Sequence, residues 1–284
     1  MALWLTTLRR KHNALLLSVP AIVWLVVFFI TPALLIIIIS LMTRGSGGNP
    51  ELPFTLDHYK RTFGVFGSVL QRSLWIAFLT TLICLLIGYP LALFIRTRRS
   101  AITRRFALFL IILPFWTNFL VRTYAWQMLL GREGLINNFL LSLGLIAEPI
   151  QLLNTEFAVL LGLVYGFLPF MVLPIYASVE RFDFRYVEAA QDLGANYWHT
   201  FWRVMLPMTL PGVLAGSVLV FIPAIGAFVT PDLLGGTQGL MIGNLIQSQF
   251  RGTGNLPLGA AVSVVMLSLV MVPLFAYIRS GGEK

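Results

Sequence analysis

The sequence predicts an all-α membrane protein of about six transmembrane helices, with both termini on the cytoplasmic side. Three observations carry this expectation: scarcity of charge, recurrence of long apolar runs, and an uneven placement of Lys and Arg. Of 284 residues 58% are hydrophobic and 11% charged, with a mean hydropathy of +0.85, whereas a soluble domain carries roughly 25% charged residues. A water-soluble fold could not hide so much apolar surface. Apolar runs recur to residue 278 with no polar block long enough to fold separately, so one membrane domain over 1–284 is expected.

A helix needs about 20 apolar residues to cross the bilayer core. The first such stretch, 14–42, follows Arg9, Arg10 and Lys11. It outruns the roughly 7–15 residue apolar core of a signal peptide, and no small-x-small cleavage pattern follows, so it should stay attached as a helix. The remaining stretches are 69–95, 106–130, 156–178, 209–230 and 257–278. Each contains Pro or Gly, including Pro20, Pro32, Gly88, Pro114, Pro169, Pro223 and Pro273. Membrane helices tolerate these where neighbours satisfy the freed backbone groups.

Orientation follows from the basic residues. With the N-terminus inside, the inner segments hold Arg9, Arg10, Lys11, Arg96, Arg98, Arg99, Arg104, Arg105, Arg181, Arg185, Arg203, Arg279 and Lys284. The outer segments hold Arg44, Lys60, Arg61, Arg72, Arg132 and Arg251, a split of thirteen against six, with Arg122 left inside a span. The positive-inside rule then places both termini in the cytoplasm. The basic pI of about 10.2 is therefore a topology signal and not a sign of nucleic-acid binding. The run RTRRSAITRR is short, joins two spans and lacks interleaved aromatics.

The lone Cys84 lies in an apolar run and excludes an internal disulfide or a cysteine metal cluster. His12, His58 and His199 share no face and have no metal-ligand spacing, so no metal site is expected. No convergent nucleophile, base or metal set projects from the spans, so no catalytic residue is expected either.

The informative cytoplasmic loop is 180–207, ERFDFRYVEAAQDLGANYWHTFWRVMLP. Asp183 can cap a short helix through Val187, Glu188, Ala189 and Ala190, which should stop at Gly194 in a left-handed turn. Asn196 can cap a second short helix whose Tyr197, Phe201 and Val204 share a face before Pro207. The small Ala189 and Ala190 leave room for another surface to approach, so the loop has the shape of a docking knob.

The spacing Glu188-Ala189-Ala190, three residues, Gly194, nine residues, Val204, then Leu206-Pro207 resembles the EAA loop of bacterial ABC importer permeases. The resemblance implies type I ABC importer permease architecture in the bacterial inner membrane. It also implies that Glu188, Ala189, Ala190, Gly194, Leu206 and Pro207 couple the chain to a separate ATPase. A P-loop requires Gly-Lys followed by Ser or Thr, yet Lys11, Lys60 and Lys284 each lack a preceding Gly. ATP and Mg are therefore expected on a partner ATPase, with no cofactor in this chain.

The segments ILPFWTNFLVRTYAW from Ile112, LVYGFLPFMVLPIYAS from Leu163 and PAIGAFVTPDLLGG from Pro223 look like spermidine/putrescine permeases. That family implies two related permeases, a pair of ATPase subunits and an external polyamine-binding protein, surrounded by membrane lipid. A polyamine path needs carboxylates and aromatic faces within about 6 Å of the cation. Trp116, Tyr124, Trp126, Tyr165, Tyr176 and Phe228 supply aromatics, and Asp232 ends the fifth span. Trp116 and Asp232 are the first candidates, because each lies beside a proline break that could line a cavity. Arg122 should find a partner or reach the outer interface, and its charge argues against direct contact with a polycation. The EAA loop is shared by permeases for ferric iron, opines and amino acids, which remain alternative cargoes. A self-sufficient channel or proton-coupled carrier would call for acids or histidines inside the spans, and none is seen there.

Overall fold

The computed structural model describes residues 18–251 and 254–279. Arg9, Arg10, Lys11, His12, Lys284 and the start of the first apolar stretch lie outside the described residues. The chain forms two compact units, one from the described parts of Met1–Thr62 and Ser248–Val265, the other from those of Phe63–Gln247 and Met266–Lys284.

In the first unit, α1 (Ser18–Ser40) has a mean hydropathy of 3.1. Pro32 cannot donate a backbone hydrogen bond, and the turn before it widens over Val26–Ile30, where the Thr31 hydroxyl donates to the Val26 carbonyl at 3.0 Å. Ser40, at the end of α1, is buried against the Tyr59 hydroxyl at 2.7 Å. A short antiparallel ribbon follows, β1 (Met42–Arg44) with β2 (Pro50–Phe54), with Thr43 opposite Glu51. This outer ribbon was not expected of an all-α chain. Next comes α2 (Asp57–Gly64), whose His58 ring sits 3.1 Å from the Met42 carbonyl.

The second unit is built on three long helices, α3 (Gly67–Arg96), α7 (Glu156–Arg181) and α9 (Tyr197–Ile225). Between them lie α4 (Ala101–Ile112), α5 (Phe119–Leu130), α6 (Leu135–Ser142) and α8 (Arg185–Asp192). The last described helices are α10 (Ile242–Arg251) and α11 (Leu256–Arg279), each of which contributes residues to both units. Cys84, Tyr89, Ala92 and Ile95 of α3 form one buried cluster with Met171, Val172, Ile175 and Val179 of α7 and Val213 and Val220 of α9. Lipid is as apolar as these side chains, so close backbone approach must hold the helices together. Gly212 and Gly216 provide it. A Cβ at Gly212 would strike the Ser178 hydroxyl and lie 2.6 Å from the Pro174 carbonyl, and one at Gly216 would lie 2.9 Å from the Met171 sulfur. At one end of α3 and α7, Arg72 pairs with Glu156 at 3.0 Å.

Two expectations need correction. The stretch 106–130 is not one straight helix: α4 ends in a tight turn over Leu113–Trp116, and the chain then bends by 91° into α5 and α6. Thr117 and Asn118 are extended, and the Asn118 side chain accepts the Leu120 amide at 2.8 Å, starting a new helix. The second helix of the 180–207 loop is not short either. Asn196 caps it as expected, accepting the His199 amide at 2.8 Å, but it continues through a widened turn at Phe201–Met205 as far as Ile225. Pro207 falls within the first turn after that widening, where a missing amide hydrogen is tolerated.

Candidate functional site

The loop of residues 180–207 becomes a helical hairpin, α8 and the first turns of α9. Asp183 receives the Arg185 amide at 3.0 Å at its entry. Its exit is a Schellman turn: Gly194 adopts φ +84°, its amide donates to the Gln191 carbonyl at 2.8 Å, and the Ala195 amide donates to the Ala190 carbonyl at 3.0 Å. Only glycine adopts that conformation without strain. Glu188, Ala189 and Gly194 are exposed, Ala190 and Leu206 half-buried, and Pro207 exposed. Ala190, Gly194, Asn196, His199 and Arg203 line a concave notch of about 470 Å³ between the two helices.

Sequence reasoning missed the apolar crown of this hairpin. Leu193 is 89% exposed, Tyr197 83% and Trp198 67%. Tyr197 shares a helical face with Phe201 as expected, but it is largely exposed whereas Phe201 is half-buried. Phe201 meets the Tyr89 ring edge-on at 5.4 Å, and the Tyr89 hydroxyl is bonded to Thr209 at 2.8 Å. At the other root, the Arg96 guanidinium lies 5.3 Å over the Phe184 ring, which Phe182 meets edge-on at 5.3 Å. Arg96, one of the basic residues that set the topology, thus also ties α3 to the base of the hairpin.

The bend after α4 opens the second site. A cavity of about 390 Å³ lies among α5, α7 and the end of α9, with Phe115, Phe119, Arg122, Gly166, Phe170 and Phe228 in its wall. Breaking the helix frees the Pro114 carbonyl, which accepts the Thr117 hydroxyl at 2.7 Å and Arg122 Nη1 at 2.7 Å. The guanidinium lies 5.6 Å from the Phe115 ring centre and 5.7 Å from those of Phe119 and Tyr165. The expected partner for Arg122 is therefore a backbone carbonyl inside an aromatic setting.

The structure gathers only some of the predicted pathway residues. Phe228 is in the cavity wall, Tyr165 faces the Arg122 guanidinium, and Trp126 backs Tyr165 edge-on at 5.5 Å. Trp116 points elsewhere, edge-on to Phe109 at 5.8 Å, and Tyr124 and Asp232 are exposed and outside the described wall. Tyr176 binds Glu180 at 3.1 Å near the end of α7. Among the described residues no cluster of three or more His, Cys, Asp or Glu could hold a metal ion.

Residues 85–280 match the family described as binding-protein-dependent transport system inner membrane component. The spermidine/putrescine transport system permease protein PotB of Haemophilus influenzae is 44% identical over 258 residues, covering 90% of each chain. Its Escherichia coli counterpart is also 44% identical, over 90% of this chain and 94% of its own. A bacterial alginate ABC transporter, crystallised with an alginate pentasaccharide-bound periplasmic protein, has a chain that superposes with a TM-score of 0.78 at 17% identity, over 97% of this chain and 96% of that one.

Proposed function

Because the chain belongs to the family of binding-protein-dependent transport system inner membrane components, we propose that it imports polyamines, putrescine or spermidine, as one half of a translocation pathway. It is a multi-pass inner-membrane permease subunit and not an enzyme. The observation that carries the cargo assignment is 44% identity, across 90% of the chain, to permeases named for spermidine and putrescine.

The remaining parts of the reading are mechanical. An ABC ATPase pair binding ATP and Mg, a second related permease and an external binding protein complete the importer. The hairpin of α8 and α9 is the coupling element: Glu188 meets the ATPase, Ala189 and Ala190 let it approach, and Gly194 sets the angle. Because α9 runs unbroken from the hairpin into the bundle, a push on the hairpin becomes a tilt of that span. ATP-driven closure of the ATPase pair then switches the pathway between outward and inward access. Converting a 1:99 population to 99:1 takes about 5.5 kcal/mol of differential binding, within reach of a nucleotide-driven clamp.

The test is ATP-dependent uptake of labelled putrescine into proteoliposomes holding all four kinds of subunit, against a panel of competing solutes. Saturable uptake blocked by spermidine is the expected result. A permease for another solute is the second reading, favoured by a cavity whose described wall has Arg122 and no carboxylate. Uptake blocked only by an unrelated solute would establish that reading instead.

A further inference from the structure

A cation pathway with an arginine in its wall poses a problem, and the surroundings of Arg122 suggest its solution. Three ring faces and one carbonyl converge on the guanidinium. Aromatic faces attract any cation through their quadrupole, so the same cage would accept a primary ammonium. We propose that this cage is a binding site for one alkylammonium end of the transported solute, held between cargoes by the chain's own Arg122. This rests on the polyamine reading above.

The cage does not depend on the guanidinium for its shape. Phe115 is braced edge-on by Phe170 at 4.8 Å, and Tyr165 by Trp126 at 5.5 Å, so two of its rings are fixed by other rings. Beside Tyr165, a Cβ on Gly166 would meet nothing within 4 Å, which leaves room for an alkyl chain. Exchange also answers the electrostatic objection. A second positive charge beside Arg122 at membrane depth would be costly, whereas swapping one cation for another keeps the cavity at a single charge. Arg122 is half-buried, so its long side chain can swing toward water while the ammonium takes its place.

The experiment uses the complex of this chain with its partner permease and ATPase in nanodiscs, without the binding protein. Labelled putrescine binding is measured by equilibrium dialysis. Arg122→Gln removes the resident cation while keeping a donor for Pro114, and should tighten binding by about tenfold. Propylguanidinium, a copy of the missing side chain, should displace the bound putrescine from that variant. Adding Phe119→Leu should cancel the gain. Should Arg122→Gln fail to assemble, Arg122→Met decides, since it removes the resident cation at similar length and should tighten binding in the same direction.

Binding no tighter in the variant, or a gain indifferent to Phe119→Leu, overturns the proposal. The two failures are distinguishable. If the complete wild-type importer takes up no polyamine, the cargo reading falls and the cage proposal with it. If uptake is established and Arg122→Gln binds no tighter, only the cage proposal falls.

Discussion

Gly194 holds φ +84° at the tip of an exposed turn, with open space where a Cβ would go. Gly194→Asp would therefore strain the backbone by roughly 1–2 kcal/mol without a clash, and it would add a charge to the docking face. ATPase co-purification and uptake should both fall, and wild-type levels of both would remove the hairpin from the coupling role. Gly166 makes the opposite case. Gly166→Phe should leave the fold and assembly intact, because its wall is open, yet reduce uptake by filling the cavity. His58 carries a pH prediction. Burial lowers its pKa below 6.5, against smaller opposing effects of the Met42 carbonyl and Asp57, while Arg61 lowers it further. The unfolded chain then binds more protons as pH falls through 6.5, so stability is lost on acidification and regained on raising the pH. Thermal unfolding of His58→Gln should be flatter between pH 7.5 and about 5 than that of the wild type. Of these residues, Gly194 was legible from the sequence because its role is backbone geometry. Arg122, by contrast, was legible only as an anomaly, since its cage joins the stretch 114–122 to Tyr165 on a distant helix.

Helices show a different limit. Hydropathy finds a run long enough to cross a bilayer, but it does not register that Ala101–Trp116 and Phe119–Ser142 meet at 91°. The signal was present as Asn118 before an apolar run, a helix start overlooked because the run around it looked continuous. Asn118→Ala should weaken this start by about 1 kcal/mol, and the loss should appear as faster amide exchange in α5. The six proline and glycine breaks other than Pro114 gave no comparable guide, because Pro169 and Pro223 sit inside unbroken helices. Packing between helices was also invisible until structure showed the crossing. At Gly212 a side chain would enter the Ser178 hydroxyl and the Pro174 carbonyl. Gly212→Val should thus destabilise the α7–α9 crossing by about 1–3 kcal/mol and lower the yield of folded chain, a loss that fluorescence-detected size exclusion would show.

For the molecule as a whole, composition and the placement of Arg and Lys gave the membrane setting directly, whereas the second permease proposed above, being another chain, leaves no trace in this sequence. The described cavity wall has aromatics but no carboxylate, so in the polyamine reading the negative charge on the path is assigned to the proposed partner permease. The purified chain alone should neither hydrolyse ATP nor move putrescine, and either activity would contradict the division of labour. The hairpin brings a consequence for cellular organisation. Its exposed crown of Leu193, Tyr197 and Trp198 is held at the root by Phe184 and Phe201. Leu193 and Tyr197 can change, over generations or by grafting, without repacking the spans, whereas Trp198, stacked on Phe201 at 6.3 Å, is tied to the root. Under the coupling role proposed for the hairpin, motor and cargo gate are free to be inherited separately, so that one ATPase serves several importers sharing this feature.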